Sequence, residues 1–410
     1  MSANQPTRQA LLDDYARFVS PAQVARLRAL GHDFIESRRE GPDVYDQDGR
    51  QYLDCYSSAG IYNLGRRQPE LLAELRQAMR ETDQGNFPMI SREKARLAAA
   101  LAAFVPGALE CTMFSVVRGE AFDFACKLAR GYTRRPELIA PEGSWFGQTG
   151  FAVSLSTRAD KRDFAPLVPE TKIIPFGDAA AARAAIGPRT AAVFLEPRQT
   201  ENHCRPASAD YLRALRRLCT ETGVLLVLDE TQTGLGRTGK RFAFEHAGIE
   251  PDVLIIGEAL GAGVFPIAAT LFTPAINKFM NAHPLIHLST FGGSDLGCRI
   301  GARALEIYAA VAPWENAAAL GRSLQEKLQT IAARHSRLIE SIAGDGLLYS
   351  LAFAGPAEAE AFCRRLAAHG VLAVPGKVAT NTVVLRPNLT IGQAEADRLL
   401  QAVEKAAAGV

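Results

Sequence analysis

Four short and almost entirely apolar segments recur in the middle of this chain, at a spacing of roughly thirty residues. They are TKIIPF (171–176), TAAVFLEP (190–197), GVLLVLDE (223–230) and DVLIIGEA (252–259). Unbroken apolar character rich in Val and Ile is typical of strands that are covered on both faces. A helix is predicted between two of them, where Ser208 is a suitable N-cap and Gly223 a suitable C-cap. This alternation predicts an α/β fold with a mostly parallel sheet.

The chain ends predict a second, smaller lobe. Residues 41–58 have the alternation and the Asp-Gly turn of an antiparallel hairpin, and the last part of the chain combines Ala/Leu-rich helices with short strands. We therefore expect a large domain over 75–310, and a small α/β lobe that 1–74 and 311–410 build together.

Composition excludes several classes of partner. The chain has 410 residues, 48% of them hydrophobic, and 46 Lys and Arg balance 44 Asp and Glu to a formal net charge of +2. Without a basic block, nucleic acid is not an expected partner. Without a long apolar run or an apolar leader, neither a membrane span nor export is expected, so we predict a cytoplasmic protein. The seven scattered cysteines form no CxxC pair, so no metal site is predicted.

Three acidic residues stand where three of the apolar segments end. Glu196 closes AAVFLE, Asp229 closes VLLVLD, and Glu258 follows VLII. In an open parallel sheet, ligands bind in the crevice beyond the carboxyl ends of the strands. The three acids are therefore predicted to line one crevice, although Glu196 precedes a proline and a loop-holding role stays open for it.

The segment LDETQTGLGRTGKRFAFEHAGIEPDVLIIGEALGAGVFPIAAT (228–270) closely resembles the signature of class III (ornithine/acetylornithine/4-aminobutyrate type) aminotransferases. These are fold-type I pyridoxal-phosphate (PLP) enzymes. Further similar stretches extend over nearly the whole chain: YDQDGRQYLDCYSSAGIYNLG near the start, KLARGYT, GSWFGQTG, FLEP, STFGG and LRPNLTI.

The resemblance assigns roles to individual residues. It implies that Asp229 pairs with the pyridine nitrogen of the cofactor, which holds the ring as an electron sink. It implies that Trp145 stacks on the ring, that Gln232 lies near the phenolic oxygen, and that Gly119 lies in the phosphate-binding turn. It also implies a homodimer with active sites at the subunit interface, in which the partner subunit's Thr290 reaches the phosphate.

The chain departs from this family at the catalytic lysine. Glu258 stands at the position where the family carries the lysine that binds the cofactor covalently. A carboxylate cannot form an imine, so that covalent bond is absent. Lys240 and Lys278 are too distant in sequence to replace it.

Two further departures concern the phosphate and the substrate. Val117 and Arg118 replace the Ser-Gly pair of the family's phosphate-binding turn, and Arg118 is expected to bind an anion, to fill the phosphate pocket, or to pair with Glu258. Val384 replaces an arginine that binds the carboxylate of glutamate in relatives. Arg386, two residues further on, either takes over that role or lies at the rim of the small lobe.

Four interpretations of function follow. The first is an enzyme that acts on an amino-acid-like or amino/keto metabolite with PLP or pyridoxamine phosphate bound without a covalent bond, and with Glu258 as general acid/base. The second is a cofactor-independent enzyme that reuses the crevice, and the third is a non-catalytic homologue that binds a ligand or a partner. The fourth, an ordinary aminotransferase with an engineered lysine-to-glutamate change, is disfavoured by Val117 and Arg118.

Overall fold

The computed structural model describes residues 7–85 and 89–409. Their α-helices are α1 Arg8–Phe18, α2 Pro21–Leu30, α3 Ser57–Gly60, α4 Pro69–Glu81, α5 Arg92–Phe104, α6 Arg118–Thr133, α7 Gly150–Leu155, α8 Ala179–Ala185, α9 Ala209–Thr222, α10 Pro274–Ala282, α11 Asp295–Val311, α12 Pro313–Arg334, α13 Pro356–Ala368 and α14 Gln393–Ala408. Their strands are β1 Glu36–Glu40, β2 Asp43–Asp46, β3 Gln51–Asp54, β4 Cys111–Ser115, β5 Glu137–Pro141, β6 Thr171–Ile174, β7 Thr190–Leu195, β8 Arg198–Gln199, β9 Arg205–Pro206, β10 Leu225–Asp229, β11 Val253–Ile256, β12 Ala268–Phe272, β13 Ser341–Asp345, β14 Leu348–Ala352, β15 Val371–Leu372, β16 Val374–Pro375 and β17 Thr382–Leu385.

Seven strands form the central sheet, in the order β4-β12-β11-β10-β7-β5-β6. Four of its six pairings are parallel, and β12 pairs antiparallel with both β11 and β4. The prediction of a mostly parallel α/β sheet is therefore confirmed. The four apolar segments are β6, β7, β10 and β11, and every residue of the last three is buried. The chain reverses after β11 through the glycine-rich loop, which is why β12 returns antiparallel.

The helix-capping residues and the hairpin turn that the sequence indicates form the structures predicted for them. Ser208 caps α9 by accepting a hydrogen bond from the Tyr211 N–H, and Gly223 ends the helix in the left-handed conformation with φ of 65°. β2 and β3 form the predicted antiparallel hairpin, with Gly49 at φ of 81° in its turn.

Both chain ends contribute to a separate hydrophobic core. Leu30 and Leu53 from the start of the chain pack with apolar residues of α12, α13, α14 and the sheet β13-β14-β17-β16. β15 also pairs with β3, so a C-terminal strand extends the N-terminal sheet. The boundaries of the two lobes stay a prediction. No helix in the described ranges is long and apolar enough to cross a membrane.

The topology brings several chain segments to one edge of the central sheet. β7, β10 and β11 are neighbours and run parallel, so the residues that follow them meet at their carboxyl ends. β4 runs in the same direction, because it is antiparallel to β12, and α6 begins shortly after it. The first turn of α6 therefore faces the three acids.

Candidate active site

A cavity of about 410 Å³ opens at this edge of the sheet, between the central sheet and the small lobe. Its lining includes Tyr56, Val117, Trp145, Gln232, Glu258 and Lys377. Polar groups therefore converge on an aromatic wall, which is the usual composition of a small-molecule site.

Arg118 lines this cavity and is itself buried. Its Nε donates a hydrogen bond to Asp229 Oδ2 at 2.9 Å, and its Nη2 donates to Glu196 Oε1 at 3.1 Å. Nη2 also donates to the main-chain oxygen of Trp145 at 2.5 Å. One cation thus bridges two of the three acids that the sequence singles out, and both acids are almost fully buried.

This arrangement corrects the prediction that all three acids line one crevice. Glu258 lines the cavity, whereas Glu196 and Asp229 lie beneath its floor because the Arg118 side chain covers them. Glu196 also accepts a hydrogen bond from the Trp145 N–H at 2.8 Å, so it holds the loop that carries the aromatic ring.

Glu258 takes the place of a helix cap. Its Oε1 accepts a hydrogen bond from the Arg118 main-chain N–H at 2.9 Å, at the first residue of α6. Val117, at the N-cap position, supplies no side-chain hydrogen bond. A carboxylate is stabilised there by the free N–H groups and by the helix dipole. One of the three roles expected for Arg118 was pairing with Glu258. Its main-chain N–H makes that contact, whereas its guanidinium pairs with Asp229 and Glu196.

Burial affects the pKa values of Glu196 and Arg118, which form a cluster with Asp229. Burial raises the pKa of Glu196 to about 8; the charge of Asp229 adds to this rise, and Arg118 opposes it. Burial also disfavours the charge of Arg118, but Asp229 and Glu196 outweigh that effect and raise its pKa above the ordinary value. The Arg118 cation therefore lies between two buried acids, and burial favours the protonated form of Glu196 more than it would be favoured in water.

We expect Glu196→Gln to remove a pH dependence of stability. Folding raises the Glu196 pKa, so the stability that its proton contributes is complete below the ordinary carboxyl pKa and is lost as pH rises through about 8. Between about pH 7 and about pH 9, the wild type should lose about 1 kcal/mol of unfolding free energy more than the variant, which carries a neutral amide. Urea unfolding of both proteins at the two pH values measures this difference. Equal losses in the two proteins would show that Glu196 is ionised throughout.

Of the remaining residues assigned to the cofactor, Gly119 and Gln232 line the same cavity, and Thr290 does not. Gly119 lies against Thr149, whose hydroxyl donates to the Gly119 carbonyl at 2.9 Å, and a Cβ there would come within 2.8 Å of the Thr149 methyl group. Gln232 accepts a hydrogen bond from Arg386. Thr290 is exposed and lies beside Lys94 in a separate small cleft of its own chain.

Arg386 lies deep between the two lobes. Its side chain is fully buried and pairs with Glu201 at 2.8 Å, so the alternative that places it on the rim of the small lobe is wrong. Its Nε and Nη2 have no hydrogen-bond partner among the described residues, and its guanidinium lies 5.7 Å from the centre of the Tyr56 ring. Glu201 was missed by sequence reasoning, because it follows no apolar strand directly.

Lys377 is the second residue that sequence reasoning missed. Its Nζ lies 4.9 Å from the centre of the Trp145 ring, and it lines the cavity together with Glu258. Distance along the sequence was the wrong criterion for a substitute lysine, since the small lobe brings Lys377 to the crevice. No local pattern in the sequence marks it.

The side chains of the described residues, as arranged, do not fit PLP. Asp229 would meet the pyridine nitrogen, but one of its oxygens is bound by Arg118 and the other by the Thr231 N–H. The N–H at the start of α6 is bound by Glu258, and Val117 offers no hydroxyl to a phosphate. In this chain, the Arg118 guanidinium therefore occupies Asp229, and the Glu258 carboxylate occupies the N-terminus of α6.

Comparison with known proteins places the chain in a family. The family model for class-III aminotransferases matches residues 28–407. The chain is 37% identical over 387 residues to an uncharacterized aminotransferase of Archaeoglobus fulgidus, covering 94% of this chain and 91% of the relative. It is 35% identical over 409 residues to the putrescine aminotransferase of Pectobacterium atrosepticum, covering 96% and 87% respectively.

Solved structures agree with the fold. The ornithine aminotransferase of Toxoplasma gondii superposes with a TM-score of 0.92 at 25% identity, covering 99% of this chain and 96% of that one. A second structure of that enzyme has the same TM-score and identity and is described with partial occupancy of PLP at its active site. From the matched family model, the two relatives and the superposed fold, we conclude that this chain belongs to the class-III aminotransferase family.

Proposed function

We propose that this protein is an enzyme of the aminotransferase fold that acts on a small amino-acid-like or amino/keto metabolite, with Glu258 as its general acid/base. The observation that carries the proposal is the setting of the Glu258 carboxylate. One oxygen is fixed by the Arg118 N–H, and among residues 7–85 and 89–409 the other accepts no hydrogen bond. A fixed carboxylate with a free oxygen in a cavity is suited to proton transfer.

The surrounding residues would orient the metabolite. The Trp145 ring offers an apolar wall on which a flat or aliphatic group can lie, and its position is fixed because Glu196 holds its main chain. Lys377 and Glu258 present opposite charges in the same cavity, which suits a ligand that carries both an amino or carbonyl group and an acid group. A proton could then move between Glu258 and a carbon or nitrogen atom of the bound molecule.

The two versions of this enzyme differ in the cofactor. PLP or pyridoxamine phosphate held without a covalent bond is supported by family membership and by Trp145 and Gln232, which line the same cavity. The cofactor-independent version is supported by the Arg118 guanidinium on Asp229. We favour the second version, since cofactor binding would require a buried, doubly paired arginine to leave its partners.

We expect Glu258→Gln to slow proton exchange strongly while the fold is kept. In D₂O, the wild type should incorporate deuterium into one class of a panel of amino acids, amines and 2-oxo acids, detected by mass spectrometry. Loss of a positioned acid/base should lower this rate by about 10²-fold, whereas the amide can still accept the Arg118 N–H. Glu340→Gln is the matched control, because it makes the same change at an exposed glutamate that does not line the cavity. Exchange that is equally fast in Glu258→Gln would exclude Glu258 as the acid/base, and ligand binding without any exchange would indicate a non-catalytic homologue.

Assembly and location are also proposals. Leu285, Ile286, Leu288 and Phe291 are exposed apolar residues around Thr290, and such a patch suits a subunit interface. This supports the homodimer expected from the sequence, and light scattering measures whether the solution mass is twice that of one chain. The seven cysteines are free and six are buried, which fits the reducing cytoplasm.

A further inference from the structure

We propose that Lys377 is a carbonyl-binding residue whose ε-amine forms an imine with an aldehyde or 2-oxo acid in the Trp145 crevice. The inference rests on the proposed function only in that both use the same cavity. It assigns a covalent step to a lysine of the small lobe, more than a hundred residues from Glu258 along the chain.

The main chain around Lys377 is fixed to the large domain. The Lys377 N–H donates to Glu201 Oε2 at 3.1 Å, and the next two N–H groups, of Val378 and Ala379, donate to the Glu201 carbonyl at 3.1 and 3.0 Å. Gly376 packs so closely that a Cβ would come within 2.9 Å of the same carbonyl. A side chain that leaves such a fixed backbone has a defined origin, as a reacting group requires.

The side chain extends from this anchor into the crevice. Nζ lies 4.9 Å from the centre of the Trp145 ring, and Lys377 is the one lysine in the lining of the cavity among the described residues. Within the same part of the chain, Nζ makes no salt bridge that would hold it as a permanent cation. The residue lines the cavity and part of it is exposed to solvent, so a ligand that enters the crevice can reach the amine.

The surroundings make the neutral amine, which nucleophilic attack needs, easier to form than it is for a lysine in water. The crevice walls desolvate the ammonium and lower the pKa of Lys377 below its ordinary value. The charge of Glu201 opposes this effect, and the charges of Arg386, Arg118 and Arg26 add to it. A desolvated lysine next to other cations is a recurrent way to activate an amine.

The reaction is balanced without an oxidant or reductant. The amine lone pair forms a bond to the carbonyl carbon, the C=O π pair moves to oxygen, and a proton passes from nitrogen to that oxygen. The C–O bond then breaks and the hydroxyl leaves as water, with a proton supplied by a carboxyl group. The nitrogen lone pair forms the C=N bond, and the proton that remains on this nitrogen returns to the same carboxylate, which leaves the neutral imine. Glu258 lines the same cavity and is suited to be this carboxyl group.

Reductive trapping tests the inference. Wild-type protein is incubated near neutral pH with glyoxylate or pyruvate and sodium cyanoborohydride, and the adducts are located by peptide mass spectrometry. We expect one adduct at Lys377, formed at least about tenfold faster than at any other lysine. Lys377→Arg keeps a cation over Trp145 but cannot form an imine, so this adduct should disappear while the melting temperature stays unchanged. Lys278→Arg, which removes an exposed lysine outside the cavity, should keep it.

The outcomes separate this inference from the proposed function. Labelling spread evenly over the lysines, or an undiminished adduct rate in Lys377→Arg, would overturn the role of Lys377. If that happens while exchange dependent on Glu258 persists, only the imine proposal fails. If Lys377 is trapped selectively while no deuterium exchange is found, only the acid/base proposal fails.

Discussion

Arg118→Gly is expected to bind PLP much more tightly than the wild type. Removing the guanidinium frees the Asp229 carboxylate and opens the buried volume between Asp229, Glu196 and the Trp145 main chain. It also leaves two buried acids without a cation, at a cost of about 3–5 kcal/mol of unfolding free energy. A ligand that brings a cationic ring nitrogen to Asp229 restores part of this loss, because binding to the folded state alone stabilises it.

Two measurements check this expectation. Added PLP should raise the melting temperature of Arg118→Gly and quench the fluorescence of Trp145, with saturation, and should do neither in the wild type. Arg158→Gly is the control, since Arg158 lies 5.2 Å from the centre of the Trp145 ring but pairs with Asp160 rather than Asp229. Saturable PLP binding of equal affinity in the wild type would show that Arg118 does not close the site.

Glu258→Lys alone is expected to leave the protein without a covalently bound PLP. A lysine at this position supplies the amine, but the Arg118 guanidinium still occupies Asp229. Combined with Arg118→Gly, the same change should produce an absorbance band beyond about 380 nm that survives gel filtration.

The absorbance spectra of the two variants after gel filtration decide this point. The double variant should retain close to one PLP per chain, and the single variant nearly none. A robust band in Glu258→Lys alone would mean that the lysine is the one change that matters, and that Val117 and Arg118 are compatible with the cofactor.

Much of the fold was predictable from the sequence. Strands such as β7 and β10 are continuous apolar runs, and such runs have few alternatives in a parallel sheet. The strands β4 and β12 were not predicted, because the direction of β12 depends on how the glycine-rich loop reverses the chain. Loop geometry of this kind is decided by tertiary packing rather than by local residue pattern.

The site was predictable in its membership but not in its pairings. Strand-end logic singled out Glu196, Asp229 and Glu258, and the departures from the family pattern singled out Arg118. The Arg118 side chain reaches across the edge of the sheet, and this reach decides which carboxylate oxygens its guanidinium contacts. The spacing of residues in the sequence does not indicate these contacts. Lys377 was missed for a related reason, since it enters the crevice from the other lobe.

We infer that Arg118 and Glu258 occupy the places where relatives would hold a cofactor. A crystal structure of the wild-type protein grown with excess PLP tests it most directly. We expect the guanidinium of Arg118 between Asp229 and Glu196, the Glu258 carboxylate on the first N–H of α6, and no ring stacked on Trp145. A PLP ring on Trp145 with its nitrogen at Asp229, and Arg118 displaced, would contradict it.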